Sequence, residues 1–191
     1  GTAQKGDDSG ILLYDLRNLA SPVKAYMDAH SDDVVSVDIL SDPFLLLSGG
    51  DDGLVNVYDP SITDPDEVIG QSINVSGSIH QSGFRNSKKI FALTRMETFS
   101  EYRVLSEEET RLTAEGTTPI IPLTADKKDY GDIRDTWGCE YVSAILPEFI
   151  GIGSNSTGEF SLLPYTIDGV DTVQRIVLQG AHGLEVVRSV L

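Results

Sequence analysis

The sequence predicts an all-β fold built from a repeated antiparallel meander, and three observations carry that expectation. Short β-rich runs separated by Gly, Asp, Asn and Pro turns recur at roughly 45-residue intervals. Within the clearest unit, His30 to Asp59, apolar and polar residues alternate with the period of a half-buried strand. A cluster of turn-forming residues precedes each candidate third strand.

In that unit Val34-Val35-Ser36-Val37-Asp38-Ile39 alternates as a first strand, Ser41-Asp42-Pro43 turns the chain, and Phe44 to Ser48 reads as a second, buried strand. Gly49-Gly50-Asp51-Asp52-Gly53 is a hairpin turn, because Gly and Asp tolerate positive φ. Leu54-Val55-Asn56-Val57-Tyr58-Asp59 is the third strand. Pro60 closes it, since proline cannot donate to a ladder.

The turn-plus-third-strand pattern recurs at Gly10 to Arg17, at Met96 to Tyr102 and at Ser154 to Leu163. Third strands are therefore expected near residues 11–15, 54–59, 98–103 and 159–164. First strands should begin near Val34, Ser78 and Cys139, with another in Leu184 to Val190. The units span approximately 1–27, 28–73, 74–124 and 125–180 of a single domain, with 181–191 opening the next and an insertion between Leu105 and Asp135. On this reading the chain holds about four units, and its outer strands are open edges. The rest of the repeat array, or a second chain, is expected to complete it.

Composition narrows the function. The 40% hydrophobic content supports a real core, and no apolar run approaches the roughly 18 residues that span a bilayer. The net charge of -16 disfavours nucleic acid and anionic membranes as partners and favours basic proteins, although surplus charge also serves plain solubility. One cysteine, Cys139, excludes an internal disulfide and suits a reducing compartment, nuclear or cytoplasmic.

Catalytic patterns are matched poorly. Gly153-Ser154-Asn155-Ser156-Thr157-Gly158 has phosphate-loop glycine spacing, but Glu159 stands where Lys is needed, so a hairpin turn is expected. Asp126, Asp129 and Asp132 imitate a calcium loop, yet Lys128 and Tyr130 occupy positions that should offer oxygen, so a solvated loop is expected. Trp137 and Cys139 read as strand-end packing and His80 as a surface residue. No enzyme activity, cofactor or metal is expected.

His30, followed by Ser48-Gly49-Gly50-Asp51-Asp52-Gly53 and then Tyr58-Asp59, resembles a WD40 repeat with Tyr in place of Trp, and Ala181-His182-Gly183 resembles the opening of the next. The wording of His30-Ser31-Asp32-Asp33-Val34 through Tyr58-Asp59 is most similar to the WD repeat-containing protein 89 family. The resemblance implies a β-propeller of WD40 type, with a ring that usually closes at seven blades, and a protein-interaction scaffold. It also implies a buried hydrogen-bonded set that maps to His30, Ser48, Asp52 and Tyr58. Glu97, and Asn155 to Thr157, depart from the turn acid of the pattern.

In a propeller the connections between blades share one face with the second-to-third-strand turns. Asp28, Asp32, Asp33, Asp51 and Asp52 are thereby gathered on one rim as a candidate partner-binding surface, joined by Asp126, Asp129, Asp132 and Asp135 from the later connection. An acidic rim suggests, as the alternative function, an escort for a basic client such as a histone or ribosomal protein.

Overall fold

The computed structural model describes residues 1–4, 9–27, 29–64, 67–106, 108–110, 127–180 and 186–187. The chain forms two compact units, Gly1–Asp129 and Tyr130–Leu191. Among the described residues no helix is long and apolar enough to cross a membrane.

In the first unit β1 (Gly10–Leu13) and β2 (Lys24–Met27) form a two-stranded antiparallel sheet. β3 (Val34–Ser41), β4 (Phe44–Gly50), β5 (Leu54–Tyr58) and β6 (Ile69–Asn74) follow as a meander in the order β3-β4-β5-β6. A second meander, β7 (Ile79–Asn86), β8 (Lys89–Thr94), β9 (Thr98–Arg103) and β10 (Lys128–Asp132), repeats that order. The second unit carries a short helix, α1 (Ile133–Trp137), and then β11 (Tyr141–Ile145), β12 (Phe149–Ser154) and β13 (Glu159–Thr166). β14 (Gly169–Val170) and β15 (Ile176–Leu178) both pair with β13.

The predicted third strands are β1, β5, β9 and β13, and the predicted first strands are β3, β7 and β11. The strand predicted at 184–190 and the residues Ala181-His182-Gly183 lie outside the described residues, apart from Val186 and Val187. Gly49 and Gly50 belong to β4, so the hairpin turn is confined to Asp51-Asp52-Gly53, with Gly53 at φ 81°.

Two expectations are corrected. The segment read as a solvated acidic loop is strand over its latter part, because Asp129 and Asp132 lie in β10. Its Tyr130 ring meets the Trp137 indole edge-on, with centroids 5.8 Å apart. Trp137 is indeed buried packing, but it sits on α1 and not at a strand end. That helix starts where the Asp132 carboxylate accepts from Arg134 N at 3.0 Å and stops at Gly138, φ 63°.

The core is assembled between successive sheets. Ile11 and Tyr26 of the first sheet close on Leu46, Tyr58 and Val68, and the Tyr26 and Tyr58 rings stack at 5.4 Å. Leu47, Val55, Val57 and Ile73 face Ile79, Ile90, Ala92 and Tyr102 of the next meander, all nearly or wholly buried. Burying such side chains contributes about 1.5 to 3 kcal/mol each.

Polar side chains stitch the same seam. The Ser36 and Ser82 hydroxyls meet at 2.6 Å, and Asp38 Oδ2 accepts from Phe84 N at 2.7 Å. Gln71 spans the gap with both ends of its amide. Its Nε2 donates to Arg103 O at 2.9 Å, and its Oε1 accepts from Leu105 N at 3.0 Å.

Gly49 lies at the middle of this seam, where an added Cβ would run into the Ser36 and Ser82 hydroxyls and the Ile79 side chain. Overpacking of this kind costs about 1 to 3 kcal/mol. Gly49→Ala should therefore lower the unfolding free energy by that amount in chemical denaturation, whereas Gly131→Ala, which meets nothing within 4 Å, should suffer only from its φ of 66°.

Candidate functional site

His30 precedes β3, Ser48 lies on β4, Asp52 in the following turn and Tyr58 at the end of β5, so the antiparallel register brings them together. The His30 side chain is wholly buried. Its Nδ1 lies 3.0 and 3.1 Å from the two Asp52 oxygens, and its Nε2 lies 2.7 Å from Ser48 Oγ. Ser48 Oγ lies in turn 2.8 Å from the Tyr58 hydroxyl.

One proton arrangement satisfies every member: Nδ1–H donates to Asp52, Ser48 donates to Nε2, and Tyr58 donates to Ser48. A phenol thus completes the chain that the resemblance would give to an indole N–H. Burial pushes the Tyr58 phenol above its usual range, keeping it a donor.

Asp52 is consumed by this arrangement. Beyond His30 its oxygens accept from Ser31 N at 2.9 Å and Leu54 N at 3.0 Å, and its side chain is only 5% exposed. It therefore faces inward, away from the rim on which the sequence also placed it. Asn56 adds a further tie, Nδ2 donating to Ala29 O at 2.7 Å, and Ser9 Oγ donates to His30 O at 2.6 Å.

The other carboxylates that the sequence assigned to a rim have different surroundings. Asp51 accepts both arms of Arg95, Nε at 2.9 Å and Nη2 at 3.0 Å, and Ser78 Oγ bonds its carbonyl and carboxylate. The Arg95 hydrogen bonds hold its carboxyl below the ordinary range. Asp33 caps Gln4 N at 2.6 Å, Asp32 is exposed and accepts from Asp33 N at 2.8 Å, and Asp28 lies outside the described residues. Of the later acids, Asp129 and Asp132 lie on β10, the latter at its end as the N-cap of α1, Asp135 lies on α1, and Asp126 lies outside the described residues.

The other turns solve the same problem with other residues. Between β8 and β9, Thr94 Oγ1 meets Thr98 Oγ1 at 2.7 Å and accepts from Met96 N and Thr98 N, while Glu97 takes φ 57°. Between β12 and β13 the turn has no acid of its own, and Glu140, just before β11, supplies one. Its carboxylate accepts from Asn155 N at 2.8 Å, from Ser156 N, and from the Ser154 and Ser156 hydroxyls. The Ser156 hydroxyl is the chief cause that draws its pKa below the usual value. The phosphate-loop mimic is thus a hairpin turn bound by a carboxylate. Glu140, Arg95, Gln71 and Asp38 were not signalled by the motif pattern, because each acts across a gap between elements.

Among the described residues no three His, Cys, Asp or Glu side chains gather as metal ligands would. His80 is exposed on β7 and Cys139 is buried.

Successive four-stranded meanders are built as the blades of a β-propeller are, and the loop histidine locked to the hairpin acid and the second-strand hydroxyl is the set that the resemblance to a WD40 repeat implied. The chain is 36% identical over 193 residues to an uncharacterized WD repeat-containing protein of Saccharomyces cerevisiae, covering 100% of this chain and 46% of that protein. It is 28% identical over 140 residues to an uncharacterized WD repeat-containing protein of Schizosaccharomyces pombe, covering 70% of this chain and 40% of that protein. The chain thus spans less than half the length of these curated relatives. No protein-family model matches it. Among solved structures, Kluyveromyces lactis Hsv2 is 12% identical with a TM-score of 0.47, over 94% of this chain and 56% of that one.

Removing the His30 imidazole would leave the Asp52 carboxylate and the Ser48 hydroxyl buried without their partner, at about 1 to 3 kcal/mol. His30→Ala should lose that much in urea unfolding, and Tyr58→Phe less, since only the terminal donor goes. Glu140 adds a pH dependence. A carboxyl whose folded pKa is depressed stabilises above its unfolded pKa and loses that contribution as pH falls through the folded value. Thermal stability should fall on acidification below about pH 4.5, and Glu140→Gln should flatten that slope; parallel slopes in the two proteins would remove Glu140 as a contributor.

Proposed function

We propose that the chain contributes blades to a non-catalytic protein-interaction scaffold. The observation that carries this reading is the fixing of adjacent loops: the connection at His30 is bound to the turn at Asp52, and the turn at Asp51 to Arg95 of the next blade. Loops held this way present a preformed surface, and preorganisation lowers the ordering cost of binding. The similarity to WD repeat-containing proteins supports the same class. The finer affinity is placed with the WD repeat-containing protein 89 group, on the wording from His30 to Val34 and from Gly53 to Asp59. A lone buried cysteine accords with a nuclear or cytoplasmic setting.

On this surface Asp32 and Asp33 are proposed to steer a basic or mixed-charge protein partner. Exposed pairs supply only about 0.2 to 1 kcal/mol each, so they set association rate and salt dependence more than affinity. The escort alternative is not carried further, since Asp52 is turned inward and Asp51 is neutralised by Arg95.

Affinity purification of the full-length protein at stepped salt is the test. A stoichiometric protein partner should remain at moderate salt, and Asp32→Lys should slow its association at low salt without changing the melting temperature. Recovery of no stoichiometric partner would overturn the scaffold reading, and an unchanged on-rate would remove the rim from it.

A further inference from the structure

Ser106 is exposed, and it follows β9 in a stretch that is neither strand nor helix. Glu107, Glu108 and Glu109 come directly after it in the sequence, and residues 108–110 are helical. A helical run that short is held by its side-chain bonds and hardly by its own backbone. The serine can therefore be drawn out into an enzyme cleft at little cost.

The Ser106 hydroxyl shares its partner with a guanidinium. Ser106 Oγ donates to Glu109 Oε2 at 2.9 Å, and Arg103 Nη1 donates to the same oxygen at 2.7 Å. Arg103 Nη2 donates to the other carboxylate oxygen at 2.9 Å, and Ser106 N donates to Oε2 at 2.8 Å. The Arg103 hydrogen bonds lead these in drawing the Glu109 carboxyl down to about 2. A group added to the serine oxygen thus lies within reach of Arg103.

The two sides of the serine present different charges to solvent. Arg103, three residues before it, is folded onto Glu109 with its side chain 34% exposed, whereas Glu108 is exposed. An enzyme approaching this segment meets carboxylates, and the pocket that complements them is basic.

We propose that Ser106 is a phosphorylation site for an acid-directed serine/threonine kinase. In the transfer the Ser106 oxygen attacks the γ-phosphorus of a nucleoside triphosphate, and the bond from that phosphorus to the β–γ bridging oxygen breaks. The hydroxyl proton passes to the kinase's base and the nucleoside diphosphate leaves. The phosphate, with a charge of about -1.5 to -2 and three acceptor oxygens, then competes with Glu109 for Arg103. It takes the guanidinium fork, and Glu109 turns out to solvent.

The exchange reaches an apolar groove of about 750 Å³, whose lining includes Phe44, Val57, Leu105, Ser106 and Thr110. Leu105 stays in place, because its N–H donates to Gln71 Oε1 at 3.0 Å. Thr110 N donates to Ser106 O at 2.9 Å, and that helical turn loses its side-chain support when Glu109 leaves. Phosphorylation thereby reshapes one wall of the groove and spares the seam between the meanders.

The full-length protein, incubated with magnesium, adenosine triphosphate and a purified acid-directed kinase, should take up one phosphate, which peptide mapping by mass spectrometry places on Ser106. Protein purified from cells with phosphatase inhibitors should carry the same phosphate. Glu107→Lys combined with Glu108→Lys, which leaves Arg103 and Glu109 intact, should slow uptake at least about tenfold. Phosphorus NMR of the phosphorylated protein should place the second ionisation of the phosphoserine below its usual value of about 6, and Arg103→Gln should restore it. Failure of uptake, uptake on another residue, an unmodified Ser106 in protein from cells, or a rate unchanged by the double variant overturns the site. An ionisation at about 6 or above in the unaltered protein, or one that Arg103→Gln leaves where it was, overturns the exchange with Glu109. Neither result bears on the scaffold reading, which this site does not require.

Discussion

A loop that connects two sheets has to satisfy its own backbone polar groups, and in this chain a buried side-chain carboxylate meets that need. Asp52 is the instance on which the first complete blade depends, because it accepts from the imidazole of His30, from Ser31 N and from Leu54 N together. A carboxylate taken so far out of water would be costly by itself, and it is tolerated because donors converge on it from two elements. The loop, the turn and the two central strands are thereby fixed as one body. Rigidity in the presented loops follows from this polar cluster more than from the apolar core beneath it.

The sheets meet through layers of different chemistry. Aliphatic side chains from Leu47 to Ile90 exclude water, while Ser36, Asp38 and Gln71 reach across to hydroxyl or backbone groups of the neighbouring meander. Apolar contacts alone permit sliding, since area is nearly independent of register. Directional bonds from Gln71 to both Arg103 O and Leu105 N do not, so they set which residue of one sheet stands opposite which of the next.

Much of the architecture was legible in the sequence because strands carry a period of two and turns carry Gly, Asp and Pro. The third strands at Leu54, Thr98 and Glu159 followed from those marks alone. The fourth strands were harder. β10 and β15 are largely exposed, so their polarity resembles that of a loop, and Lys128 to Asp132 was accordingly misread. The His30 cluster was visible through a family pattern, whereas Arg95 and Glu140 were not, since their partners lie 44 and 15 residues away in sequence. For the same reason the pairing of Asp51 could not be separated from a free acidic rim until the neighbouring turn was in place.

The turn between β12 and β13 shows how far letters and geometry can part company. In one blade the negative charge resides in the hairpin and the donors arrive from the preceding connection. In the other the hairpin amides donate and Glu140 of the preceding connection accepts. The two designs are mirror images in the direction of their hydrogen bonds, yet they hold the same pair of segments at the same end of the sheet. A pattern search keyed to an acid in the hairpin passes over the second blade, whereas a search keyed to a carboxylate within reach of two consecutive turn amides would find it from either side.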